Sequence, residues 1–187
     1  MLPSPEIEIN RGHEVAFYSD DRSLLGDLTQ FIGSALKAGN AAIVVATESH
    51  RNSLFPELQA YGLDVGAAVE QGRYIALDAA DTLSAFMFNG MPDPERFMKA
   101  FGSLVLRAAN AAKGEHSRVA VFGECVHLLW TQGNAEAAIR MEKLGNQLTK
   151  TYDVDILCGY SVSGRVGELY SPIFRQILAE HSAAHFR

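Results

Sequence analysis

Gly39-Asn40-Ala41-Ala42-Ile43-Val44-Val45-Ala46-Thr47 is the stretch on which the fold turns. From Ala42 to Ala46 it offers no polar side chain to water. Such a strand belongs inside a sheet covered on both faces, the usual setting of a parallel sheet. Its flanks agree. Upstream, Leu24, Leu25, Leu28, Phe31, Ile32, Ala35 and Leu36 recur at helical spacing and Gly39 stops them. Before that helix stands another short run, His13-Glu14-Val15-Ala16-Phe17-Tyr18, with Ser19-Asp20-Asp21 as capping residues.

Downstream the alternation continues. Leu54, Leu58 and Tyr61 predict a helix over 49–61, and Asp64 can cap a shorter one. Tyr74-Ile75-Ala76-Leu77-Asp78 is the third strand, followed by a short helix over Thr82 to Phe88. Pro92-Asp93-Pro94 starts a helix striped by Phe97, Phe101, Leu104, Val105 and Ala108. Arg118 to Phe122 is the fourth strand and leads through Gly123 into Glu124. Asn134 caps a helix carrying Ala138, Met141, Leu144 and Leu148. Val154 to Cys158 is the fifth strand, and a last helix is expected from about Glu168 through Tyr170, Phe174, Ile177, Leu178 and His181. The pattern predicts an α/β three-layer sandwich around a mainly parallel sheet of about five or more strands. Residues 1–12 read as a polar leader and 13–187 as one domain.

Composition excludes several classes. The chain has 187 residues, 48% hydrophobic and 20% charged, so it is neither disordered nor a disulfide scaffold. Net charge is −6 with no basic run, so direct nucleic-acid binding is not expected. No apolar run approaches 18 residues, and Met1 to Glu6 lacks a signal-peptide pattern; a cytoplasmic protein away from the membrane is expected. Cys125 and Cys158 then read as reduced thiols.

In an open α/β sheet, ligands gather beyond the carboxyl ends of the strands. That rim would present Tyr18-Ser19-Asp20, Thr47-Glu48, Asp78, Glu124 and Tyr160-Ser161. A phosphate loop after the first strand would need glycine amides and a lysine. Tyr18-Ser19-Asp20-Asp21-Arg22-Ser23-Leu24 has neither, and its two aspartates repel a triphosphate. His127 and Trp130, three apart, share a helical face just after Glu124. Tyr18, Trp130 and Tyr160 would supply apolar contact to a ligand, and Glu124 and His127 would orient its polar groups. Among His13, Cys125, His127, Cys158 and His181 no two form a C-x-x-C, H-x-x-x-H or H-E-x-x-H pair, so no metal or other cofactor is expected. No nucleophile elbow occurs either, and no catalytic residue is assigned. His181 and His185, four apart, read as one face of a terminal helix.

An ordered set of residues resembles a known family. It runs from His13 and Tyr18 through Gly39 to Thr47, Gly62-Leu63-Asp64-Val65 and Gly72-Arg73-Tyr74. It continues with Arg118-Val119, Gly123-Glu124, Leu129-Trp130, Gly133-Asn134, Glu142 and Asn146, Leu157-Cys158-Gly159-Tyr160, and His181. The set is similar to the MEDS domain, a sensory domain of methanogen and methylotroph regulators, over roughly residues 12–182. The resemblance implies a fold related to RecA and KaiC-type domains with the Walker A loop lost. It implies sensing of a small molecule, often proposed to be a hydrocarbon derivative. It also implies output through a kinase, anti-sigma or DNA-binding module. No such module is visible in 187 residues, so output through a protein partner, or a fragment of a longer protein, is the expectation. Cys125 departs from the methionine expected after Gly-Glu. Carried over by position, the implied site residues are His13, Tyr18, Arg118, Glu124, Trp130, Glu142, Asn146, Cys158, Tyr160 and His181. Arg118 opens a strand, at the end away from the rim, and is read as a structural partner of a carboxylate.

The expectation is therefore a non-enzymatic sensory or regulatory domain binding a small effector at the strand-end rim. The alternatives are a residual nucleotide-binding protein or NTPase, and a pure protein-interaction module. A homodimer is the base-rate expectation.

Overall fold

In the computed structural model, residues 12–114, 118–162 and 171–187 are described. Helices and strands alternate in the order β1 (His13–Tyr18), α1 (Asp21–Lys37), β2 (Ala41–Ala46), α2 (Glu48–Ala60), α3 (Val65–Glu70), β3 (Tyr74–Asp78) and α4 (Ala79–Phe86). A two-stranded antiparallel ribbon, β4 (Met87–Phe88) and β5 (Met91–Pro92), interrupts the pattern. Then come α5 (Pro94–Ala111), β6 (Val119–Gly123), α6 (Cys125–Thr131), α7 (Ala135–Thr151), β7 (Val154–Ser161), α8 (Pro172–Ala179) and β8 (Ala183–Phe186).

Six strands form one sheet in the order β3-β2-β6-β7-β1-β8, and every pairing is parallel. All six residues of β2 are buried, as its unbroken apolar run requires. Side chains alternate across the sheet and feed two cores. On one face Ala42, Val44, Phe122 and Tyr18 pack with residues of α1, α2 and α3. On the other, Val15, Phe17, Val45, Val121, Ile156 and Tyr160 pack with residues of α4 to α8.

The local rules explain the boundaries. Asp20, Thr47, Asp64, Asp93 and Asn134 each accept from a backbone N–H in the first turn of the helix that follows. Gly39 has a φ of +80°, and its carbonyl accepts from Lys113 N at 2.8 Å and Gly114 N at 3.1 Å. That contact ties the turn before β2 to the end of α5. Arg118 is fixed as read from sequence, with Nε and Nη2 donating to the two carboxylate oxygens of Asp155 at 2.9 and 2.7 Å. This bidentate clamp joins the entrance of β6 to β7.

The C-terminus departs from the sequence reading. Ser171 caps α8 by accepting from Phe174 N, and the helix ends at Ala179. Ala183 to Phe186 then pairs with Glu14 to Phe17 as a sixth strand. His181 and His185 therefore do not share a helix face. The four-residue spacing mimicked a helical period, whereas β1 offered an unpaired edge whose backbone groups β8 satisfies. The expected helix start at Glu168, Tyr170, and leader residues 1–11 lie outside the described residues.

Candidate functional site

The expected rim residues separate into two places. Glu124 follows β6 and is buried. Its Oε2 accepts from the backbone of Thr47 at 2.8 Å, and its Oε1 accepts from Nδ1 of His50. That bond, helped by the nearby Asp21, raises the His50 pKa against the opposing effect of burial. Glu124 thus ties the ends of β2 and β6 to the first turn of α2. His50 was not singled out from sequence. The Thr47 cap, which accepts from His50 N, was the signal, because it folds the first turn of α2 back over the strand end.

Tyr18 lies on the same sheet face as α1 and α2, opposite Trp130 and Tyr160. The three aromatics therefore do not line one surface: neighbouring residues in a strand point to opposite faces, and Tyr18 is one step out of phase with Phe17. Tyr18 is buried, which pushes its phenol pKa up. Trp130 is 6% exposed and meets Tyr160 edge-on, with ring centroids 5.4 Å apart. His127 also meets the Tyr160 ring edge-on, at 6.5 Å. Cys125 is buried; its thiol donates to the carbonyl of Ala79 at 3.4 Å, and burial pushes its pKa up to about 12.

The remaining expected residues converge. His13 and Cys158 stand on neighbouring strands and point to the same sheet face, where α7 crosses them. Glu142, Gly145 and Asn146 occupy one face of α7. Glu142 is wholly buried. Its Oε1 accepts from the Tyr160 hydroxyl at 2.6 Å and its Oε2 from the Cys158 thiol at 3.2 Å. Nε2 of His13 lies 3.3 Å, and Nε2 of His181 3.1 Å, from that same Oε2. Burial opposes ionisation of Glu142, but the two histidines outweigh it and hold its carboxyl below the ordinary range. Burial likewise opposes charge on His181, and Glu142 outweighs it upward. Burial and the adjoining carboxylate raise the Cys158 thiol and the Tyr160 phenol well above their usual values.

The fold makes room for this cluster. A Cβ on Gly145 would lie 2.8 Å from Cε1 and 3.0 Å from Nε2 of His13. Glycine in the helix interior is what lets the imidazole enter. Asn146 donates through Nδ2 to the carbonyl oxygen and Oε2 of Glu180 at 2.8 and 3.1 Å, and turns its Oδ1 to Nδ1 of His13 at 3.1 Å. The donor atoms of His13, Glu142, Cys158 and His181 all lie within 4.8 Å of one another. The expectation of no metal rested on spacing along the chain, and these atoms come from four separate segments.

A small cavity of about 40 Å³ adjoins the cluster, between α5, α7 and the face of β2, β6 and β7. Val45, Phe101, Val121, Val126, Leu148 and Ile156 give it apolar walls, and His13, Glu142 and Cys158 stand at its polar end. The candidate site is thus a buried polar knot with an apolar chamber beside it, on the sheet face under α7.

Known proteins share the fold. A solved structure of an uncharacterized protein from Pyrococcus horikoshii, in complex with an unknown peptide, superposes with a TM-score of 0.62 at 13% identity, over 94% of this chain and 77% of that one. A KaiC-like protein from the hyperthermophilic archaeon Pyrococcus horikoshii superposes with a TM-score of 0.52 at 15% identity, over 84% of this chain and 66% of that one. At such identities the likeness is one of fold: a KaiC-like, RecA-type α/β sandwich. No curated protein matches the chain. No helix among the described residues is long and apolar enough to cross a membrane. Residues 12–182 match the model of the methanogen/methylotroph, DcmR sensory domain, and the chain therefore belongs to the MEDS family.

Proposed function

We propose that this sensory domain detects a small, mainly apolar molecule with one polar group, such as a short hydrocarbon derivative. The ligand sits in the chamber between α5 and α7, not at the strand-end rim. The observation that carries this reading is the apolar chamber ending on His13, Glu142 and Cys158. Apolar walls with a few converging polar groups are the usual make-up of a small-ligand site. A volume of about 40 Å³ admits only a few heavy atoms unless the helices part. Occupancy would bias the spacing of α5 and α7, and a protein partner, such as a kinase, anti-sigma or DNA-binding module, would read that change. The shift can be no larger than the ligand's preference for one spacing over the other.

Binding rather than nucleotide hydrolysis is favoured by the turn after β1. Asp20 accepts there from Ser23 N at 2.8 Å and Asp21 begins α1, so carboxylates occupy the place where a phosphate would meet free amides.

The test is a thermal-shift panel of short alcohols, halomethanes and thiols, repeated with Val121→Phe, which fills the chamber. At least one compound should raise the Tm of the parent protein and leave the variant unmoved. Equal responses in both proteins, or no response to any compound, would sink the reading.

A further inference from the structure

We propose that His13, Glu142, Cys158 and His181 bind a four-coordinate divalent transition metal, with zinc the best fit. The site shares His13, Glu142 and Cys158 with the polar end of the chamber, but metal uptake is measured with no organic ligand present, so the two readings fail separately.

The donor set is one sulfur, two imidazole nitrogens and one carboxylate oxygen, all typical of zinc. Four of the six donor separations are close to those of a tetrahedron. With metal bonds of about 2.0–2.3 Å, tetrahedral donors lie roughly 3.3–3.6 Å apart. Here Cys158 Sγ is 3.3 Å from His13 Nε2 and 3.2 Å from Glu142 Oε2. The two imidazole nitrogens lie 3.3 and 3.1 Å from that oxygen. All four ligand atoms lie within 4.8 Å of one another, and the wider separations close as they draw in on the ion.

The groups around the donors aim them inward. Asn146 Oδ1 can only accept, because Nδ2 of the same amide is committed to Glu180. Nδ1 of His13 therefore carries a proton, and its Nε2 faces the cluster, where its lone pair is the ligand once a metal is bound. Nδ1 of His181 meets the carbonyl of Ile177 at 2.6 Å, which sets the same tautomer. Imidazoles that ligate metals are held in this way, by an acceptor on the far nitrogen. Tyr160 holds Oε1 of Glu142 and leaves Oε2 to the centre.

A second observation points to an occupant. The His181 side chain is 0% exposed, and its Nε2 lies 3.1 Å from Oε2 of Glu142 without an aligned hydrogen bond among the described residues. A buried polar atom with so poorly aligned a contact is costly, and here it is grouped with three other ligand atoms. A metal ion satisfies it. A thiolate and a carboxylate cancel the charge of a divalent ion, so the filled site is neutral in its buried setting. Loading displaces the Cys158 thiol proton to solvent as the sulfur–metal bond forms. The ion would tie β1, α7 and β7 to the segment between α8 and β8.

The experiment uses the full chain, stripped with a chelator and titrated with cobalt. The expected result is one equivalent bound, with intense visible bands of tetrahedral cobalt and a near-ultraviolet thiolate charge-transfer band. Zinc should displace the cobalt one for one. Cys158→Ser should remove the charge-transfer band, while Cys125→Ser, at the other buried thiol, should keep it. Asn146→Ala should weaken affinity about 10- to 100-fold by releasing His13. No stoichiometric uptake, or a pale octahedral spectrum without charge transfer, overturns the site. So does a charge-transfer band that survives in folded Cys158→Ser. Should that variant not fold, the spectrum of the parent protein still decides.

Discussion

The hydroxyl of Tyr160 donates to Oε1 of Glu142 at 2.6 Å, and neither residue has any exposed surface. One bond thus links the middle of β7 to the middle of α7 and orients the carboxylate on which the histidines converge. A buried charge of this kind is tolerable only when every neighbour helps to satisfy it.

Tyr160→Phe keeps the ring against Phe17 and Trp130 and removes only the donor. A hydrogen bond to a charged group contributes about 1.5–3 kcal/mol. Urea unfolding of the variant should show a loss of that size with an unchanged m-value. A loss below about 0.5 kcal/mol would mean that the carboxylate is satisfied without the phenol.

Two glycines inside helices should respond in opposite directions. At Gly26 in α1 an added Cβ meets nothing within 4 Å, so Gly26→Ala should stabilise by about 0.5–1 kcal/mol. At Gly145 the same methyl runs into the His13 ring, so Gly145→Ala should destabilise by about 1–3 kcal/mol. Chemical denaturation of both variants beside the parent protein reads the contrast. Stabilisation by both would show that His13 yields freely and that its position is not set by α7.

His50 gives a pH dependence of known sign. Its folded pKa is raised, first by the bond to Glu124, above an unfolded value of about 6.5. The stability it contributes is therefore full below about pH 6.5 and is lost as pH rises through the raised folded value. His50→Gln keeps a donor to Glu124 but does not titrate. Across pH 5–9 the Tm of the parent protein should fall more steeply on the alkaline side than that of the variant. Parallel curves would place the pair outside the pH response.

Filling the chamber with Val121→Phe should cost stability, because Val121 is 3% exposed and an insertion into a packed core strains it by about 1–3 kcal/mol. A smaller loss would mean that the chamber accepts the ring. Either value can be read from the same denaturation series, and the ligand panel is then run at a temperature where the variant is folded.

Much of this was legible along the chain. The apolar run Ala42 to Ala46 demanded a central strand, and the capping oxygens of Asp20, Asp64, Asp93 and Asn134 marked where helices begin. These are short-range matters of hydrogen bonding and periodicity, so the sequence carries them directly. The shared face of Glu142 and Asn146 was visible for the same reason. The role of Arg118 as a structural clamp followed from its place at the start of a strand.

What the tertiary structure decided was which residues meet. His13 and Cys158 are 145 residues apart and touch only because β1 inserts between β7 and β8. Strand order leaves no mark on local periodicity, since parallel strands are joined through helices and not through turns. The sheet face also lay beyond the sequence: Tyr18 and Tyr160 both read as strand-end aromatics, and register placed them on opposite sides. The end of the chain shows the same limit, for Ala183 to Phe186 becomes a strand only because β1 presents an edge to it. Local chemistry set the elements of this protein, and long-range pairing assembled its site.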